Sequence, residues 1–339
     1  MTDRNPPPAA AVLPGFTLLV SLSMVLVFVV VVLSAYIRLG DAGLGCADTQ
    51  TAGTGWPACF GQLGAHDNRS LVEGGPLLPP SAARTFHRVA ATIFSFFSLG
   101  IVYLAVKYRR RGGPGVTLPL LVLAITVFLS VLGIVTPSPL IPAVTTGNVL
   151  GGMTLLALLW IISQRLQPAV AEDGNNAASL RRWARLGLAL VVLQIALGAW
   201  TSGSFAGPSC PRLSGCDANW TADNLKHGFD PARRLERDAQ GKVLTDASQP
   251  LVHMTHRALA LVTLLYLGWL ALRARAAGGR LRTNGNALLA FMLLEAGIGL
   301  AGVAANLPLA LATAHNAGAA LLLLAVVNLN FLLAARNPT

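Results

Sequence analysis

The chain has 339 residues, of which 54% are hydrophobic and 12% charged, and it carries a formal net charge of +11. That composition is too apolar for a soluble α/β protein of this length. No basic segment is interleaved with base-stacking aromatics, so the positive balance does not read as a nucleic-acid surface.

Lipid is the expected solvent, and the expected fold class is an all-α integral membrane protein. A spanning helix needs about 20 apolar residues, because the hydrocarbon layer is ~30 Å thick and each residue rises ~1.5 Å. Eight stretches qualify in chain order: 15 to 37, 86 to 106, 117 to 136, 140 to 163, 184 to 204, 251 to 273, 286 to 304 and 308 to 334. The first could in principle be a cleaved signal, but its apolar run is long and no small-residue cleavage site stands out before the following loop, so it is read as a helix. The third and fourth stretches, and the seventh and eighth, are separated by a few residues around Pro137 to Pro142 and Asn306 to Pro308, which predicts tight helical hairpins.

Positive charge retained in short loops marks the cytoplasmic side. With both termini inside, the inner segments carry fourteen Lys and Arg, among them Lys107, Arg109, Arg165, Arg181, Arg273 and Arg280, against three acids. The long loops 38 to 85 and 205 to 250 are close to neutral. A bacterial-type inner membrane with both termini cytoplasmic is the expectation. All four cysteines, Cys46, Cys59, Cys210 and Cys216, fall in the two outer loops. An oxidising compartment suits two loop disulfides, with thiol chemistry or metal binding as the alternative; neither pair has CxxC spacing.

The chain is internally repeated. Ala35-Tyr36 and the run from Ala42 to Cys46 return at an offset of 164 as Ala199-Trp200 and the run from Ala206 to Cys210. Phe86-His87-Arg88 is answered by Thr255-His256-Arg257, and Leu132-Gly133 with Pro142 by Ile298-Gly299 with Pro308. Two tandem four-helix bundles are expected, at 15 to 164 and 184 to 335. An even number of helices per repeat gives both halves the same orientation, so equivalent sites lie at equal depth. Aligned through Gly151 and Gly318, the fourth helix carries Asn148 where the eighth carries His315.

His87, His256 and His315 each fall at the outer end of a predicted helix, where a neutral imidazole can ligate iron. The competing reading is an interhelical hydrogen-bonder, which repetition of the His-Arg pair disfavours. His256 and His315 sit on different helices of one bundle and can clamp a haem from both sides. Arg88 and Arg257 can pair with haem propionates or reach lipid phosphate. His253, one turn before His256, is read as a supporting group. Glu295, the one carboxylate well inside a span, suits a proton relay or a hydrogen bond to a neighbouring helix. His66 and His227 lie in polar loops and receive no role.

Taken together, the duplicated halves, the Ala-Gly-Leu-Gly-Cys run ending at Cys46, the Gly55-Trp56-Pro57-Ala58-Cys59 segment, the two His-Arg motifs and His315 resemble the haem A synthases of cytochrome oxidase assembly. The resemblance spans roughly residues 15 to 335 and implies oxidation of a haem O methyl group to the formyl group of haem A by successive hydroxylations. It implies haem B as cofactor between His256 and His315, and haem O as substrate in the N-terminal half, with His87 as the catalytic-side ligand. Implied partners are the enzyme that donates haem O and the oxidase assembly machinery; an oligomer is compatible with the family.

Two positions depart from the family pattern. Asn148 stands where a second N-terminal histidine is usual, and Arg84 where a glutamate three residues before the histidine is usual. Cys46 and Cys59 are also further apart than the family's usual spacing. A haem on His87 alone is five-coordinate, which suits oxygen activation, whereas a bis-histidine haem suits electron transfer. The sequence leaves two other classes open: a non-catalytic haem protein, either an electron-transfer cytochrome b or a haem chaperone, and a transporter built on the same duplicated bundle. Few midplane polar residues favour haem over transport.

Overall fold

A computed structural model of the chain describes residues 14–39, 80–109, 115–136, 140–167, 177–210, 212–213, 216–236 and 243–334. Its helices in chain order are α1 (Pro14–Leu39), α2 (Pro80–Tyr108), α3 (Thr117–Val135), α4 (Pro142–Arg165), α5 (Ala177–Gly203), α6 (Ala222–Gly228), α7 (Gln249–Ala276), α8 (Gly279–Ala304) and α9 (Leu309–Leu333). All but α6 are long and apolar enough to cross a membrane, giving eight candidate spans among the described residues. The protein is an all-α, multi-pass membrane protein.

Several helices outrun the apolar stretches that announce them. The second, fifth and seventh spans begin at Pro80, Ala177 and Gly279, six or seven residues before the hydropathy pattern starts. Backbone hydrogen bonding continues through polar residues at the interface, so the helix includes Arg181, Arg182 and Arg185 in α5 and Arg280 and Arg282 in α8. The α7–α8 connection is correspondingly short. Gly278 and Gly279 take φ of +81° and +49°, a left-handed conformation that reverses the chain in two residues and that a Cβ disfavours. The small helix α6 has no apolar run to reveal it. The Thr221 side chain caps it by accepting from Asn224 N, and Asp223 sits in its first turn.

Packing follows the repeat. Within the N-terminal half α1 packs on α2 and α4, and α3 on α2 and α4; within the C-terminal half α5 packs on α7 and α9, and α8 on α7 and α9. Between the halves α4 meets α9, α1 meets α9 and α4 meets α5. Exchanging α1–α4 with α5, α7, α8 and α9 maps this set of contacts onto itself. The central helices α4 and α9 are the most covered by protein, and α3 and α8 the least.

The centre is apolar, with Leu155, Leu156 and Leu159 of α4 and Leu323, Val326 and Leu329 of α9 buried. Apolar burial alone gives little drive for helix association in lipid, so polar contacts matter. Trp160 Nε1 donates to Asn328 Oδ1 at 3.1 Å between α4 and α9, and Asn330 Nδ2 donates to Ala184 O at 2.9 Å between α9 and α5. Arg38 Nε donates to Ser202 Oγ at 3.0 Å. Arg38 and Ser202 are 164 residues apart, the offset of the repeat, so this bond joins equivalent positions of α1 and α5 across the centre.

The segment between α5 and α7 is pinned to both halves. Trp200 Nε1 donates to Gly228 O, Leu235 N to Leu140 O and Gln249 Nε2 to Ser204 O. The buried Arg233 pairs with Asp246 and donates to Ser248 Oγ. Asp246 in turn accepts from the Ser248 backbone N–H and hydroxyl. Burial alone raises the Asp246 pKa, but the hydrogen bonds from Ser248 and the charge of Arg233 overcome it, holding the carboxyl below its ordinary value of 3.8.

A carboxyl depressed in the folded state stabilises it above the unfolded pKa and loses that contribution as pH falls through the folded value. The segment is therefore expected to loosen below about pH 4. Hydrogen exchange of the amides of 230 to 250 checks this: protection falls on acidification in the wild type, whereas Asp246→Asn is weakly protected already at neutral pH and changes little.

Candidate functional site

The functional side chains enter from the starts of α2, α4, α7 and α9, which successive membrane crossings place on one face. His87 is seven residues into α2, His256 seven into α7 and His315 six into α9. The sequence pattern put them at helix ends; α2 and α7 begin earlier than that pattern and α9 one residue later, and the imidazoles lie about two turns, roughly 10 Å, down from the starts. Asn148 is six residues into α4, at the depth of His315.

In the C-terminal half His256 and His315 lie within electrostatic range of one another. A glycine backs each ring: a Cβ on Gly198 of α5 would sit 3.1 Å from His256 Cε1, and one on Gly299 of α8 would sit 3.0 Å from His315 Cε1. Small residues at these two points let the imidazoles lie directly against a neighbouring helix backbone.

Each ring also has one polar neighbour on another helix. Gln194 of α5 places its amide nitrogen 3.1 Å from His256 Nδ1. A carboxamide fits such a position either way round; with Oε1 toward the ring it accepts the Nδ1–H and leaves Nε2 for a metal. Glu295 of α8 places Oε1 3.1 Å from His315 Nδ1. That contact is within hydrogen-bond distance but off the line of a hydrogen bond.

His253 and Arg257 sit on the same helix as His256 and are used by the protein itself. Arg257 Nε donates to His253 Nε2 at 3.1 Å, Nη1 to Arg212 O at 2.9 Å and Nη2 to Cys210 O at 2.7 Å. Cys210 and Cys216 form a disulfide, so Arg257 fastens a cross-linked turn to the helix that carries His256. Two of its five donors serve that fastening and a third holds His253, an arrangement the sequence does not reveal.

The N-terminal half keeps the frame and changes the contents. Gly151 of α4 faces the side chain of Leu129 of α3 as Gly318 of α9 faces Glu295 of α8. This pairing supports the alignment of Asn148 with His315. At the repeat offsets, Leu129 occupies the station of Glu295, and Val30 that of Gln194. His87 is half-buried, and Arg84 Nε, one turn before it, is buried with no hydrogen-bond partner among the described residues. Cys46, Cys59 and His66 lie outside the described residues. His227 is on α6 in the loop, 3.9 Å from Asp246, away from the histidine pair.

Among the described residues no three His, Cys, Asp or Glu side chains converge as a metal site. An iron held here by the protein through two imidazoles takes its remaining ligands from a macrocycle, as a haem supplies. The residues fit such a group. Gln194 Oε1, Glu295 Oε2 and Thr313 Oγ1 are buried without hydrogen-bond partners among the described residues, and His315 Nδ1 has no aligned one. Orphaned polar atoms cost about 1–3 kcal/mol each, and those of Gln194 and Glu295 belong to the side chains that attend His256 and His315, where a ligand would sit.

Gln194 is the neighbour of His256 that the sequence pattern does not single out. Its signal was present: it is the one amide in the apolar run of α5. A polar residue there needs an interhelical partner.

A family model described as cytochrome oxidase assembly protein matches residues 82–327. The chain is also 32% identical, over 330 residues, to the haem A synthase of Shewanella oneidensis, covering 94% of this chain and 96% of that one. The duplicated helical frame, the His256 and His315 pair of the C-terminal half and these matches lead to one conclusion: the chain belongs to the haem A synthase family of cytochrome oxidase assembly proteins.

Proposed function

We propose that this protein oxidises the methyl group of haem O to the formyl group of haem A, using haem B in the C-terminal half (184 to 335) and binding haem O in the N-terminal half (15 to 164). The observation that supports this reading best is the His256–His315 pair, backed by Gly198 and Gly299 and attended by Gln194 and Glu295.

In this reading His256 and His315 ligate through Nε2, while their Nδ1 atoms are held by neighbouring helices. Bound there, haem B supplies a one-electron redox couple. Arg257, through Cys210 O and Arg212 O, keeps the cross-linked turn over the outer end of the site. His87 ligates the substrate haem from one side, and Asn148, a poor iron ligand, leaves the other side open to the oxidant. Arg84 and Arg88 flank His87 on α2, where guanidinium groups suit substrate propionates. Each of two hydroxylations replaces a methyl C–H by C–OH, a two-electron oxidation for which an external oxidant takes up the electrons and the oxidant or water provides the oxygen atom, and loss of water from the resulting diol leaves the formyl group.

The concentration of Lys and Arg at the ends of α2, α4, α7 and the start of α5 supports cytoplasmic termini in a bacterial-type inner membrane, with the histidines toward the outer face. Haem O comes from a donor enzyme in the same membrane, and haem A passes to the oxidase assembly machinery.

A second reading, a haem-binding relay or chaperone that does not oxidise haem, is favoured by Asn148 and Leu129, which replace the histidine and carboxylate found at the equivalent C-terminal stations. Expression in a host that makes haem O but no haem A separates the two. Haem A, or its hydroxymethyl precursor, in the chromatographed membrane haems is the expected result. Folded protein holding haem B with neither product would overturn the enzyme reading and leave the relay.

A further inference from the structure

Glu295 is the one carboxylate within the described spans, and its environment is built around it. Its side chain is 13% exposed, with Oε1 3.1 Å from His315 Nδ1. The other oxygen, Oε2, lies over Gly318 of α9, so close that a Cβ there could not be accommodated without displacing the carboxylate. Gly318 is thus the clearance that lets a carboxylate from α8 reach past α9 to the ring three residues earlier on that helix. Two helices are shaped for this one contact.

We propose that Glu295 is a positioning residue for His315: it accepts the Nδ1–H, fixes the tautomer that leaves Nε2 to ligate, and increases electron donation from the ring to the iron. The inference rests on the reading of His315 as a haem ligand. A carboxylate acceptor on the outer nitrogen of a ligating imidazole orients the ring and raises its basicity. Stronger donation favours ferric over ferrous iron, so Glu295 lowers the potential of the group that His315 holds. The two histidines that would hold the haem then differ, because Gln194 gives His256 only a neutral amide.

The repeat supplies a natural control. Leu129 holds the station of Glu295 in the N-terminal half, facing Gly151 as Glu295 faces Gly318. Leucine at this station is therefore a side chain the frame already accommodates, and Glu295→Leu deletes the acceptor with little change in bulk.

The experiment is a redox titration of purified full-length protein with haem B bound, with the ferric electron paramagnetic resonance spectrum recorded alongside, for wild type, Glu295→Leu, Glu295→Gln and His315→Ala. The expected result is a higher midpoint potential and altered low-spin g-values in Glu295→Leu, a smaller shift in the same direction in Glu295→Gln, and loss of the low-spin signal in His315→Ala. Gly318→Ala, which crowds the carboxylate without removing it, is expected to shift the potential the same way and carries the test if the leucine variant does not fold. Unchanged potential and g-values in Glu295→Leu or, where that variant fails to fold, in Gly318→Ala, with the signal lost in His315→Ala, overturn the positioning role and keep the ligand reading. Retention of the wild-type signal in His315→Ala overturns the ligand reading and the inference with it.

Discussion

Replacing His256 or His315 by alanine is expected to abolish the low-spin haem B spectrum of the purified protein and to reduce haem A formation by about 100-fold or more. Mutating a group that only supports a ligand costs about 10–100-fold, so loss of the ligand itself should cost at least the upper end. The two substitutions should behave alike, because in the proposed site His256 of α7 and His315 of α9 hold the haem together and neither can serve without the other. His87→Ala should differ: haem B remains, low-spin and in full amount, while haem A formation is lost. A merely structural role makes another prediction. If the histidines only bond neighbouring helices, each alanine variant lowers thermal stability by roughly 1 kcal/mol, the scale of one interhelical hydrogen bond, and keeps its haem. Haem content and absorbance spectrum of detergent-purified protein, with a melting curve alongside, decide between them.

Two kinds of information lie behind the site, and only one is local. The spans are legible because hydropathy is additive along the chain: each of the eight apolar runs needs only its own residues to be recognised. His256 and His315 are legible because the repeat sets them against His87 and Asn148, so the comparison is internal to the sequence. The neighbours of the rings are a different matter. Gln194 meets His256 across 62 positions, and Arg257 meets Cys210 O across 47, contacts fixed by how helices face one another.

Such facing is weakly encoded in a membrane helix, whose lipid and protein sides are both apolar. The polarity contrast that reveals a buried stripe in a soluble helix is missing. The same reasoning covers the outer segment. Nothing periodic marks α6 or the Arg233–Asp246 pair, which exist because loop residues converge after the helices have packed. The early starts of α2, α5 and α8 escaped for the complementary reason, that hydropathy sees the hydrocarbon layer and the helix continues past it.

Asn148→His is expected to turn the N-terminal site into a bis-histidine one and, in doing so, to stop the chemistry. The frame is prepared for it. Asn148 and His315 are each six residues into helices that begin just after or at a proline-marked hairpin, and Gly151 and Gly318 each face the residue that the repeat puts opposite. Gly133, the counterpart of Gly299, is retained, and a Cβ there would meet nothing within 4 Å, so room for a ring exists beside it. A new imidazole at 148 can therefore take the open side of a haem ligated by His87. Two spectral consequences follow: the haem in that half becomes six-coordinate and low-spin, and carbon monoxide no longer binds to its ferrous form. If the open side is where the oxidant acts, haem A formation falls in parallel, by about 10-fold or more, in line with the cost of perturbing a metal's ligand environment. Leu129→Glu added to Asn148→His reproduces the C-terminal arrangement and should deepen both effects by holding the new ring. Should the double variant bind carbon monoxide and make haem A like the wild type, Asn148 does not face the iron-binding side of His87, and the open-site reading of the N-terminal half fails.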